Sequence, residues 1–315
     1  MSRLGRIAAP FRLAPNGHPA PVLLASRSPG GRWCHRIGWS AAPNEGRAGK
    51  ELGITVKWIL ALDEGTSSAR AALYDAEGAR RAMASHEFPS RYPRPGWVEQ
   101  DPEEIWQAQL RATRETIAQA GADAKDIAAL GITNQRETLV VWDRKTGEPI
   151  FPAIVWQCRR TSEICARLNE SPDRTWIEQR TGLVIDPYFS GTKLRWLLDA
   201  VPGAQQRAEN GELCFGNIDT WLISKLTGGK VHVTDETNAS RTMLMNLATG
   251  EWDADLLRVL NVPWAMLPRI AKSSEIVGVT DGDLLGAEIP IAGIAGDQQA
   301  ALAGQACFKP GMGKN

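Results

Sequence analysis

Apolar and polar positions change rhythm several times along this chain, and each change predicts an element. Trp58 to Asp63 is a short apolar run of the buried-strand type. A Gly/Thr/Ser turn follows, then apolar Ala71 to Tyr74, a second turn at Asp75-Ala76-Glu77-Gly78, and Arg80 to Phe88. Three strands joined by tight turns predict an antiparallel meander. Asp101-Pro102 opens a helix, with an N-cap followed by proline at the first position, where no N–H is needed. Trp106, Leu110, Thr113 and Ile117 then recur at helical spacing. Ile127 to Thr133 and Leu139 to Trp142 read as strands, the second ending in a Thr146-Gly147 turn. Thr161, Ile164, Cys165 and Leu168 share one helical face, as do Leu194, Leu197, Leu198 and Val201. Asp219 is expected to cap a helix carrying Trp221, Leu222 and Leu226. Ile289 to Ala295 is an isoleucine-rich strand ending at Gly296. Hairpins first and helices later predict an α/β fold, a mixed sheet flanked by helices.

Before residue 57 no such rhythm survives. Residues 1–50 hold seven arginines, one lysine and a single acid, Glu45. Pro10, Pro15, Pro19, Pro21 and Pro29 interrupt any helix. An Arg-rich, acid-poor start fits a transit peptide, but the prolines oppose its amphipathic helix. A disordered basic tail is a second reading. The favoured expectation is upstream sequence translated from a misplaced start, with Val56 as the true one. The expected domains are therefore an extension at 1–56, an ordered domain at 57–305 and the start of another at 306–315.

Composition narrows the function. Lys plus Arg equals Asp plus Glu at 36 each, which argues against a phosphate-backbone binder. No run of about 18 apolar residues predicts a membrane span. The five cysteines lack zinc-like spacing and read as reduced thiols of a cytoplasmic protein.

Three stretches carry candidate chemistry. Asp63-Glu64-Gly65-Thr66-Ser67-Ser68-Ala69-Arg70 lies between two strands. Its Thr66, Ser67 and Ser68 hydroxyls and N–H groups can cradle phosphate, Arg70 can pair with it, and Asp63 can hold Mg²⁺ through water. An ordinary polar hairpin turn has the same composition. Asn134-Gln135-Arg136-Glu137-Thr138 ends a strand, where ligands dock in α/β sheets, and Arg136 with Glu137 offers donors and an acceptor to a polyol. A surface ion pair is the plain alternative. Gly296-Asp297-Gln298-Gln299 follows a buried strand, so Asp297 can accept a proton from a hydroxyl, or simply cap the next helix.

At this point the residues resemble a known family. Ala61-Leu62-Asp63-Glu64-Gly65-Thr66, Arg91-Tyr92-Pro93-Arg94-Pro95-Gly96-Trp97-Val98-Glu99, Gly131-Ile132-Thr133-Asn134-Gln135-Arg136-Glu137-Thr138, Ile154 to Thr161, Thr181 to Lys193, Val233 to Leu244 and Gly293 to Leu302 are similar to the glycerol kinases of the FGGY carbohydrate-kinase family. The Asn-Gln-Arg-Glu-Thr run is characteristic of that branch. The resemblance implies a ribonuclease-H-like fold of the actin and Hsp70 type, and transfer of the ATP γ-phosphoryl to the 3-hydroxyl of glycerol. It implies glycerol binding by Arg136, Glu137, Tyr188, Asp297 and Gln298, with Asp297 as general base. Thr66, Ser67, Ser68 and Arg70 match the loop on the ATP phosphates, and Asp63 the carboxylate near Mg²⁺. Tyr188 reads equally as a core ring on sequence grounds. The family also implies a homo-oligomer at full length.

Two positions depart from the family pattern. Position 64 is Glu in place of Gln, which adds like-charge repulsion beside phosphates unless the side chain points away or helps hold Mg²⁺. Position 69 is Ala in place of Ser. The resemblance covers roughly half of a full-length member. The family's second phosphate turn, adenosine pocket and aromatic wall for glycerol lie beyond it. The chain alone is therefore expected to bind ATP poorly and to have little or no kinase activity. The alternatives are a noncatalytic polyol-binding fragment, half of a split kinase, or a kinase of another short polyol. Trp264, Leu267 and Ile270 are expected to form an exposed apolar surface.

Overall fold

The computed structural model describes residues 58–313 and two short strands before them, β1 (Leu24–Arg27) and β2 (Trp33–Arg36). Those two strands pair antiparallel, in a stretch where the sequence pattern predicts no element. The rest of the expected extension at 1–56 lies outside the described residues.

The meander forms as predicted: β3 (Trp58–Glu64), β4 (Ser68–Asp75) and β5 (Arg80–Glu87) pair antiparallel in sequence. Leu60, Leu62 and Glu64 alternate inward along β3, as a pleated strand with one buried face requires. Asp101 caps the helix Pro102–Gln119, its side chain accepting from the Glu103 N–H, and this helix covers the meander. Strands β6 (Glu99–Gln100), β7 (Ile127–Asn134), β8 (Leu139–Asp143), β9 (Ala153–Ile154) and β10 (Leu213–Asn217) follow. The remaining strands are β11 (Val233–Asp235), β12 (Met245–Asn246), β13 (Glu251–Trp252), β14 (Arg269–Ala271), β15 (Gly278–Val279) and β16 (Pro290–Gly296).

The principal sheet has the order β15-β16-β7-β3-β4-β5. At its centre β16, β7 and β3 run parallel, so their C-terminal ends emerge side by side. A second sheet, β10-β8-β9-β6, lies between two hydrophobic cores. Val140, Trp142 and Cys214 face the first core, which the principal sheet and the helices Pro102–Gln119 and Ile218–Leu226 complete. Leu139, Val141, Leu213 and Phe215 face a second core shared with the helices Ser190–Ala200, Ala204–Glu209 and Ala254–Val259. Burial on both faces explains why Leu139 to Trp142 is continuously apolar. A smaller core joins the helices Ser162–Glu170 and Arg174–Thr181 to Phe189 and Met243.

Two expectations need correction. Asp219 does not cap its helix: the helix starts at Ile218, Asn217 occupies the cap position, and the Asp219 carboxylate accepts from Thr234 Oγ1 at 2.6 Å. Of the expected apolar surface only Trp264 is exposed, because Leu267 and Ile270 pack half-buried against the second core. Among the described residues no helix is long and apolar enough to cross a membrane, and Cys158, Cys165, Cys214 and Cys307 are free thiols.

Candidate functional site

The three parallel strand ends build the site. In register, Glu64 pairs with Asn134, and Asn134 pairs with Gly296. Asp63 on β3, the Asn134–Thr138 loop after β7, and Asp297 after β16 therefore meet at one edge of the sheet. This is where ligands dock on parallel sheets, since no backbone beyond the strand ends blocks access.

Arg136 joins two of these ends. Its side chain is almost wholly buried, and Nε lies 3.2 Å from Asp297 Oδ1. It crosses the α-carbon of Gly296 so closely that a β-carbon there would lie 2.2 Å from Arg136 Cδ. Glycine at 296 is thus what lets the guanidinium reach Asp297. The Gly296 N–H is itself held by Thr237 Oγ1 at 2.8 Å, and that hydroxyl donates to Asp235. Asp297 is the first residue of the helix Asp297–Gly304 and not its cap, a position Gly296 takes. Its Oδ1 accepts from both Arg136 and the Gln298 N–H. Half the Asp297 side chain is open to solvent.

Glu137 is built differently. It is 2 % exposed, has a left-handed backbone with φ of 63°, and accepts from Arg241 Nε at 2.6 Å. Burial pushes its carboxyl up, while Arg241, Arg136 and Lys193 pull it back. The Arg241 guanidinium also lies 4.8 Å from the Phe189 ring centre and 5.6 Å from that of Tyr188. Tyr188 meets Trp156 edge to face at 5.4 Å. An ionic pair and an aromatic corner therefore share one wall.

The turn after β3 faces the same edge. The Gly65 N–H bonds the Ser68 carbonyl, closing the loop, and Arg70 Nη1 lies 3.2 Å from Asp63 Oδ2. Trp156 Nε1 donates to Thr66 Oγ1, and Gln100 Nε2 donates to the Thr66 carbonyl. The indole of Trp156 thus links the loop to the aromatic corner. Burial raises the Asp63 pKa, Arg70 lowers it, and the charge of Asp297 raises it again. Those two carboxylates, distant in sequence, feel each other across the cleft. Glu64 points the other way, into the interior beside Leu62, and neither of its carboxyl oxygens has a partner. Burial, then the neighbouring Asp63, pushes its carboxyl well above the usual range.

The structure brings Asp63, Arg70, Arg136 and Asp297 together at this edge, while Glu64 faces inward. The sequence reading did not single out Arg241, Trp156 or Thr237, whose partners are far away along the chain. Arg241 and Thr237 lie in Val233–Leu244 and Trp156 in Ile154–Thr161, two of the stretches that carried the resemblance, and that was the available signal. A hollow of about 300 Å³ lies elsewhere, beside Trp142, Arg144, Lys225 and His232. Burial lowers the pKa of its histidine to about 4 and pushes the Cys214 thiol up to about 11.

The N-terminal domain of the FGGY family of carbohydrate kinases matches residues 58–304. Glycerol kinase 2 of Thermotoga maritima is 56% identical over 260 residues, covering 82% of this chain and 52% of that protein. The glycerol kinase of Caldanaerobacter subterraneus is 59% identical over 259 residues, with the same coverage. The chain spans about half the length of the curated relatives it matches. Among solved structures, glycerol kinase of Plasmodium falciparum with ADP superimposes with a TM-score of 0.77 at 36% identity, over 80% of this chain and 51% of that one. A xylulose kinase from Rhodospirillum rubrum gives 0.73 at 25% identity, over 81% of this chain and 52% of that one.

Proposed function

Because the chain belongs to the FGGY family of carbohydrate kinases, we propose that it is the polyol-holding, phosphate-facing part of a cytoplasmic glycerol kinase, an ATP:glycerol 3-phosphotransferase. The observation that carries this is Arg136 reaching from the end of β7 to Asp297 at the end of β16, with Glu137 and Tyr188 beside it. Glycerol has three hydroxyls on a short carbon chain. Arg136 and Gln298 donate to them, Glu137 accepts from them, and the Tyr188–Trp156 corner packs against the carbons. Asp297 takes the proton of the attacking hydroxyl through Oδ2, while Arg136 fixes the carboxylate's orientation. Phosphoryl transfer needs positioning and charge neutralisation above all. Thr66, Ser67, Ser68 and Arg70 hold the ATP phosphates at the turn after β3, from which the γ-phosphoryl passes to the glycerol hydroxyl.

Magnesium fits the residues present. Asp63 is a half-buried carboxylate at a strand end, facing the turn that carries the Thr66, Ser67 and Ser68 hydroxyls. That suits an ion held by one carboxylate, water and phosphate oxygens. When bound, Mg²⁺ supplies neutralisation of the phosphate charge. We extend the family resemblance to a homo-oligomeric whole enzyme.

Calorimetric titration of glycerol into the chain tests this reading. Saturable heat, lost in Arg136→Ala, is expected; no heat at any glycerol concentration up to molar would sink it. A second reading is a polyol-binding unit with no transfer activity of its own. It is favoured by the helix Asp297–Gly304, which buries none of its residues and leaves the base side of the cleft open. Glycerol binding without glycerol-dependent ATP turnover would select it.

A further inference from the structure

Resting on the glycerol reading, we propose that Lys193 is a positioning residue for the polyol subsite, clamping the left-handed Glu137 to the loop that carries Tyr188. Lys193 lies in the first turns of the helix Ser190–Ala200 and is fully buried. Its Nζ donates to the Glu137 carbonyl at 3.2 Å and to the Tyr188 carbonyl at 2.7 Å. Ser190 Oγ donates to the same Glu137 carbonyl at 3.2 Å, and Asn217 Nδ2 holds Ser190 Oγ and the Thr138 carbonyl. A non-glycine residue with φ of 63° persists only where its surroundings over-determine it. Two side-chain donors on one carbonyl do that here. The ammonium ties the Glu137 backbone to the Tyr188 backbone, as the Arg241 guanidinium bridges their side chains.

The position is costly. A buried ammonium normally demands a carboxylate in direct contact, and Lys193 has carbonyls instead. The charged or titratable groups around it are the Glu137 carboxylate, which Arg241 takes; Asp186, which Arg159 takes; and the thiols of Cys158 and Cys165. Burial pulls the amine down to about 7, against the opposing pull of those groups. Charge-assisted bonds to the two carbonyls therefore weaken as the pH rises through neutrality.

The test is calorimetric glycerol binding at pH 6 and pH 8.5 with wild type, Lys193→Met and Ser190→Ala, alongside their melting temperatures. Wild type is expected to lose affinity by roughly threefold between the two pH values. Lys193→Met is expected to bind about tenfold more weakly at pH 6, to lose the pH dependence, and to melt at or above the wild-type temperature, since a buried charge has gone. A merely structural lysine would move stability and leave the pH profile of binding alone. Equal affinity and an unchanged pH profile in Lys193→Met overturn the proposal. If that variant does not fold, Ser190→Ala decides: weaker binding supports the clamp, and wild-type binding overturns it. A wild type that never saturates with glycerol sinks the glycerol reading and this inference with it.

Discussion

The two walls of the cleft are built on opposite principles. On the phosphate side, Asp63, Arg70 and Asp297 are two-fifths to one-half exposed, and their ion pairs are 3.2 Å long. On the polyol side, Glu137 is buried, strained, and held by Arg241, Ser190 and Lys193 together. The difference follows the chemistry of the proposed ligands. A phosphate brings its own charge and is met by groups that water can also reach. A small neutral polyol offers only hydroxyl geometry, so its wall must hold that geometry before it arrives.

Breaking the connection between the walls should have the largest effect. Arg136→Ala removes the buried side chain that spans them, and glycerol affinity should fall by about 100-fold or more, read by calorimetry. Gly296→Ala attacks the same connection indirectly. Its new β-carbon cannot coexist with Arg136 Cδ at 2.2 Å, so roughly tenfold weaker binding with a lower melting temperature is expected; unchanged binding would show that Arg136 need not cross Gly296.

A control lies beneath both walls. Asp219 is fully buried, and burial, then Asp235, raises its pKa to about 7 from 3.8. A raised folded pKa means the contribution to stability is complete below about pH 4 and lost as the pH rises through about 7. Asp219→Asn removes that loss, so its melting temperature should exceed wild type by roughly 5 °C at pH 8 and converge at pH 4. A constant difference across pH would assign the ionisation elsewhere. The smallest effect belongs to the exposed wall. Asp63→Asn breaks a solvated pair with Arg70, worth under about 1 kcal/mol, and should shift the melting temperature by no more than about 3 °C.

These contrasts also mark what the sequence could reveal. Trp58 to Glu87 alternates and turns so regularly that the meander was legible, as was the Asp101-Pro102 helix start. The strand Leu213–Asn217 escaped because it is short, buried on both faces and carries a cysteine and a glycine. Asp219 looked like a cap because acidic residues favour helix starts, yet its carboxylate turns inward to Thr234. Asp63, Arg136, Glu137 and Asp297 stood out because each lies at or just after the end of a strand, and the resemblance added Tyr188. Arg241 and Lys193 did not stand out, because their meaning lies in contacts with Glu137, which are 104 and 56 residues away in sequence.

The most direct measurement follows the indole N–H of Trp156 by NMR while glycerol is added. That group donates to Thr66 on the phosphate side and its ring packs against Tyr188 on the polyol side. The account predicts a saturable shift at Trp156 with Trp142, beside the separate hollow, unmoved. A still Trp156, or a shift confined to Trp142, would contradict it.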